Sequence, residues 1–105
     1  MAAPVSSITR LNIALVGSDP PGLAIRVEGE VPALGWRGFT LDHPIYIARP
    51  PDGVYEAEMI GEPPAGRAGR AAVPFSHHEI WVPVPADLTG LRVRAATNDM
   101  VAMLD

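Results

Sequence analysis

The 105-residue sequence has a mass of 11.1 kDa, which is enough for one hydrophobic core but not for two, so we expect a single domain over residues 1–105. A hydrophobic content of 48% excludes a disordered chain, and twelve prolines with ten glycines argue against long helices. The formal net charge is -4, and all eight basic residues are scattered arginines, so the sequence lacks the basic surface that a nucleic-acid partner requires.

The first half of the chain alternates apolar and polar residues with the period of two that is typical of β-strands. Two such runs, residues 8–17 and 23–31, flank a turn at residues 18–22. The Pro-Pro-Gly sequence of that turn favours a hairpin or a two-strand corner. Residues 36–49 then contain two short apolar pieces that are divided near Pro44.

The second half continues with short strand-like runs between Pro- and Gly-rich segments. Residues 61–69 form the longest predicted loop. The final run has two interpretations: a last strand, which we favour, or a helical turn capped at Asn98. The predicted runs of this half are residues 54–61, 71–75, 79–84, 91–97 and 100–104.

The run at residues 79–84 is marked by prolines. In a strand, its aliphatic residues Ile80 and Val82 share one face. Trp81 lies on the opposite face, where it either covers a second core surface or is exposed. Because Pro83 has no N–H group to donate, the run is predicted at a sheet edge or beside a break in the sheet.

Seven to nine short strands, separated by Pro/Gly turns, predict an all-β antiparallel sandwich, immunoglobulin-like or similar. A small β-barrel is the alternative architecture. No helical period is long enough to connect parallel strands, so we expect antiparallel sheets.

The densest polar cluster contains His77, His78 and Glu79, and His43 is the remaining histidine. Imidazole and carboxylate groups make these four residues weak candidates for a metal site. We favour the simpler interpretation, a polar turn with solvated histidines, and we expect no metal or other cofactor. A hydrolase that uses the three histidines is a further alternative, but no nucleophile-elbow motif accompanies them, so we favour a protein without enzymatic activity.

Four other residues are candidates for binding. Trp81 and Trp36 are interface or ligand candidates, because exposed tryptophan is enriched at protein interfaces. Arg67 and Arg70 lie in a Gly-containing loop, where they are candidates for docking an anion or a partner.

These observations predict a small, non-catalytic binding or assembly module that acts through protein contacts, with homo-oligomers expected. A β-barrel that binds a small ligand or a metal is the alternative. The sequence has no cysteine, no signal-peptide pattern and no apolar run of membrane-spanning length, so we expect a cytoplasmic protein with no membrane partner.

Overall fold

The computed structural model describes residues 2–44, 49–65 and 71–104. All regular elements in these residues are β-strands, which confirms the predicted all-β fold. The eight strands are β1 (Ala3–Pro4), β2 (Ser7–Val16), β3 (Gly22–Val31), β4 (Arg37–Asp42), β5 (Val54–Glu62), β6 (Val73–Trp81), β7 (Gly90–Arg94) and β8 (Asp99–Met103).

The strands form two sheets that pack as a sandwich. In the five-stranded sheet, β4 pairs with the second half of β5 along one edge. Along the other edge of β5, β7 pairs with the first half of the strand and β1 pairs with its last part. β8 then pairs with β7 and forms the outer strand on that side. The three-stranded sheet has the order β2-β3-β6. The sandwich, rather than the alternative barrel, is therefore the architecture.

One strand pair departs from the expected antiparallel arrangement. β5 and β7 are parallel, with Val54 opposite Gly90 and Glu58 opposite Arg94. Parallel neighbours need a long crossover connection. Here the connection from β5 to β7 passes through β6 in the other sheet. A strand therefore takes the place of the helix that usually connects parallel strands.

β6 differs from its prediction in two ways. The two runs at residues 71–75 and 79–84 form one strand, which pairs with β3 from Val73 to Trp81 without a break, so the predicted polar turn is wrong. The core face of β6 is also not the aliphatic one, because Ile80 is 60% exposed while the Trp81 ring packs against the core. β6 does lie at a sheet edge, as its prolines predicted.

The core lies between the two sheets and consists of aliphatic side chains together with Tyr55. Among the described residues no polar or charged side chain is fully buried. The largest fully buried side chains are Ile8, Leu23, Ile25, Met59 and Leu91.

Asn98 fastens the beginning of β2 to the turn before β8. Its Oδ1 accepts a hydrogen bond from the Ile8 N–H at 2.8 Å, and its Nδ2 donates to the Ile8 carbonyl at 2.9 Å. The register of β2 shifts between Ile8 and Arg10, so the side chain replaces backbone pairing beside an irregularity. Residues 99–103 form a strand, as favoured, and Asn98 serves this contact rather than capping a helical turn.

We expect Asn98→Ala to lower the free energy of unfolding by about 2 kcal/mol, because it leaves the N–H and carbonyl of Ile8 without their partner in a partly buried position. Asn12→Ala is the matched control, because Asn12 is an exposed asparagine of β2. It should change the free energy of unfolding by less than about 0.5 kcal/mol. Urea denaturation measures both. Equal losses in the two variants would contradict the assigned role of Asn98.

Candidate functional site

The carboxylate of Glu79 joins the edges of the two sheets. Its Oε1 accepts hydrogen bonds from the Leu41 N–H of β4 at 3.0 Å and from His77 Nε2 at 2.8 Å. Its Oε2 lies 3.6 Å from His43 Nε2, just beyond the end of β4. Because His77 and Glu79 are two residues apart on β6, they share its inner face and both reach this corner of the sandwich.

The surroundings of Glu79 favour its charged form. Burial by itself would raise the pKa of Glu79, but the hydrogen bonds from His77 and the Leu41 N–H, with the charges of His77 and His43, outweigh burial and lower the pKa. The carboxylate is therefore ionised at neutral pH and accepts from both donors. His77 accordingly carries its proton on Nε2.

The imidazole of His43 is partly buried and has no hydrogen-bond partner among the described residues. Its ring stacks on Trp81, with 4.4 Å between ring centroids, and both of its nitrogens are buried and unbonded among the described residues. The ion-pair distance to Glu79 is longer than a hydrogen bond. His77, and not His43, therefore holds the Glu79 carboxylate by a hydrogen bond.

The structure brings His43, His77 and Glu79 together but separates His78 from them, because His78 is exposed on the opposite face of β6. Within residues 2–44, 49–65 and 71–104, no group of three or more His, Asp or Glu residues is arranged to hold a metal ion. His77 instead uses its Nε2 to bind Glu79.

Both tryptophans pack towards the interior. Trp81 contacts the ring of Tyr55 edge-to-face, with 6.0 Å between centroids, and the Tyr55 hydroxyl donates to Asp87 at 2.8 Å. Trp36 also packs against the core, close to Gly61. Both aromatic side chains therefore contribute to packing, and the binding role predicted for them stays a prediction. Arg67 and Arg70, the other two predicted binding residues, lie outside the described residues.

A feature that we did not predict lies on the outer face of the three-stranded sheet. Ala14, Ala24 and Ile80 stand side by side across β2, β3 and β6 and line an open groove of about 500 Å³. Val82, which is 51% exposed, extends the apolar surface beside Gly22. We call this surface the groove face. Its signal in the sequence is that one end of β2 and β3 has small or apolar residues at consecutive positions, so that neither face is polar there.

The outer face of the five-stranded sheet has a different character. Arg92 lies 3.1 Å from Asp99 and 3.8 Å from Glu56, and Arg94 also lies 3.8 Å from Glu56. Exposed ion pairs of this kind contribute little stability but are well hydrated. Ion pairs therefore occupy the β5 and β7 part of this face, whereas Val101 and Met103 are exposed along β8.

No known protein-family model matches the chain, and comparisons with curated proteins and with solved structures give no significant match. In the described part of the chain, no helix has the length and apolar character needed to cross a membrane. We therefore infer function from the surfaces of the molecule alone.

We expect Glu79→Gln to lower the free energy of unfolding at pH 7 by about 1–2 kcal/mol, because a neutral acceptor binds the two donors less strongly. The pKa of Glu79 is lowered from 4.5 on folding, so its stabilisation is complete above that value and is lost as the pH falls through the folded-state pKa. The difference between wild type and variant should therefore shrink as the pH falls below 4.5 and through the lowered pKa of Glu79.

Chemical denaturation at a series of pH values measures this difference. Glu58→Gln is the control, because Glu58 is exposed on the outer face of β5. A wild-type advantage over Glu79→Gln that does not decline in acid would contradict the assigned interactions.

Truncation of two adjacent side chains of β6 should have very different effects on the free energy of unfolding. Trp81→Ala should lower the free energy of unfolding by about 3 kcal/mol, because it removes an aromatic side chain that packs on the core. At protein concentrations low enough for the chain to be monomeric, Ile80→Thr should change it by less than about 0.5 kcal/mol, because Ile80 is 60% exposed. Thermal and urea unfolding of both variants measure these losses. A larger loss for Ile80→Thr than for Trp81→Ala would contradict the inward orientation of Trp81.

Proposed function

We propose that this protein is a non-catalytic assembly module, and that its copies associate with one another through the groove face. The observation that carries the proposal is the position of Ile80. It is 60% exposed on the edge strand β6, directly opposite Ala24 of β3, with His78 and Val82 on either side of it along the strand. Contiguous apolar surface of this kind is typical of interaction sites, whereas isolated exposed apolar residues are ordinary.

The accessible area supports association. The chain exposes 6586 Å², about 900 Å² more than a compact monomer of its mass ordinarily exposes. A stable interface buries about 800 Å² of each partner. The excess follows from the elongated shape, 44 × 25 × 22 Å, which leaves long sheet faces uncovered. Contact between two such sheet faces would bury accessible area of about the size that a stable interface needs.

The charge distribution favours the same face. Two copies of a chain with a net charge of -4 repel each other, so contact requires a surface without excess charge. The apolar part of the groove is formed by Ala14, Ala24 and Ile80, and Asn12, Arg26 and His78 line the part next to it. The polar part of the face carries Arg10 and Arg26 against Glu28 and Glu30, and Arg26 already lies 3.4 Å from Glu28. By contrast, β5 alone places three glutamates on the outer face of the other sheet.

The edge strands of the three-stranded sheet also favour association. β2 and β6 are both edge strands, and the groove face runs across the whole sheet from one to the other. Edge strands with apolar residues on both faces tend to be paired or covered. A second copy on the groove face would cover the exposed side chains of Ile80 and Val82 at the β6 edge.

We expect the wild-type protein to form dimers or higher oligomers at micromolar concentration, measured by sedimentation velocity and light scattering. Ile80→Glu should raise the dissociation constant at least about tenfold, because it buries an unpaired charge in the contact. Val101→Glu is the matched control: it changes an exposed aliphatic residue to the same charge, but on the outer face of the five-stranded sheet.

Two results would overturn the proposal. One is a wild-type protein that stays monomeric up to a concentration of about 1 mM. The other is an equal loss of association in Ile80→Glu and Val101→Glu, because that outcome would show an effect of net charge and not of the groove face. Circular dichroism of each variant verifies that the fold is intact.

A further inference from the structure

We infer that the groove face forms a two-fold symmetric dimer in which Ile80 of each copy packs on Ala24 of the other; this rests on the proposed function and specifies its geometry. In a two-fold interface the same patch serves both partners, so it must be complementary to itself. The groove face meets that condition, because a ridge and a trough lie next to each other on it.

The ridge belongs to β6. The Val82 and Ile80 side chains lean over β3, where their Cγ2 atoms lie 2.5 Å and 3.0 Å from the position that a Cβ on Gly22 would occupy. A larger residue at Gly22 would displace them. Both side chains are more than half exposed, so they project from the sheet and present their methyl groups to solvent.

The trough belongs to β2 and β3. Ala14 and Ala24 are direct neighbours across the strand pair, and Ala24 is also the neighbour of Ile80. Their side chains are single methyl groups, so the sheet surface is low at these two positions and high at Ile80. Ridge and trough therefore lie at the same level along the strands.

One rotation brings the two features together. A two-fold axis that runs along the strands, between the columns of Ala24 and Ile80, places β3 of one copy opposite β6 of the other. Each Ile80 then faces the partner's Ala24, at the spacing of about 10 Å that separates packed sheets. The same rotation places Arg26, which also lines the groove, opposite the partner's His78, while each Arg26 keeps its ion pair with Glu28 of its own copy.

This geometry predicts complementation between two different variants. Ile80→Ala removes the ridge, so its homodimer has two gaps, and Ala24→Leu fills the trough, so its homodimer has two clashes. We expect each to raise the dissociation constant at least about tenfold. In the mixed dimer, one site brings the two substitutions together, so that the enlarged side chain at position 24 fills the gap at position 80. The other site keeps the wild-type contact, so both sites are filled without overlap.

Native mass spectrometry of the mixed variants measures this directly, because the substitutions change the mass in opposite directions and the three dimers are resolved. We expect the mixed dimer to exceed the statistical 1:2:1 proportion at least about fivefold relative to either homodimer. Complementation between chains also excludes an explanation by the contact of Ala24 with Ile80 within one chain. If Ala24→Leu does not fold, as judged by circular dichroism, Ala24→Val replaces it.

The outcomes separate the two proposals. A wild-type protein that is monomeric overturns both. A wild-type dimer that is weakened by Ile80→Glu, but whose two complementary variants mix statistically, leaves the proposed function in place and overturns the facing of Ile80 and Ala24. Enrichment of the mixed dimer supports both.

Discussion

The register of β6 against β3 decides which side chains of β6 meet the core and which meet the surroundings. The two strands pair over nine consecutive positions, from Val73 opposite Val31 to Trp81 opposite Leu23. Because side chains alternate, a slip of one residue would exchange the two faces of β6. In the observed register, Trp81 and Glu79 point into the sandwich and Ile80 points out. The polar corner and the apolar groove are thus opposite sides of the same strand.

The polar corner shows how a sandwich can connect two sheets without continuous backbone pairing. β4 and β6 belong to different sheets, yet the Glu79 carboxylate accepts the Leu41 N–H, while the rings of Phe39 and Phe75 stack with 4.6 Å between centroids. A carboxylate in a partly buried position is stable only when hydrogen bonds replace its lost hydration. His77 and the Leu41 N–H supply those bonds. The carboxylate therefore has a structural role, which is to connect β4 of one sheet with β6 of the other.

The outer faces of the two sheets differ in the side chains that they carry. The face of the five-stranded sheet carries arginines and carboxylates at facing positions, such as Glu56 and Arg92 of the parallel pair. The groove face has charge only towards one end, and small or aliphatic residues occupy the other. Water hydrates the first face readily, whereas the exposed methyl groups of Ile80 and Val82 gain from contact with another apolar surface. This difference is the physical basis for assigning assembly to the groove face.

The amino-acid sequence by itself determined that the chain forms one all-β domain, because its period-two alternation and its frequent prolines are local properties of the backbone. It also indicated an edge position for β6, since Pro83 has no N–H to donate. Only the tertiary structure decided which face of β6 is buried. Ile80 and Trp81 are both apolar, and alternation places them on opposite faces without showing which one meets a partner sheet. The same limit applies to the parallel β5–β7 pair and to the meeting of His43, His77 and Glu79, because these contacts join residues that are far apart in the chain and depend on how the sheets pack.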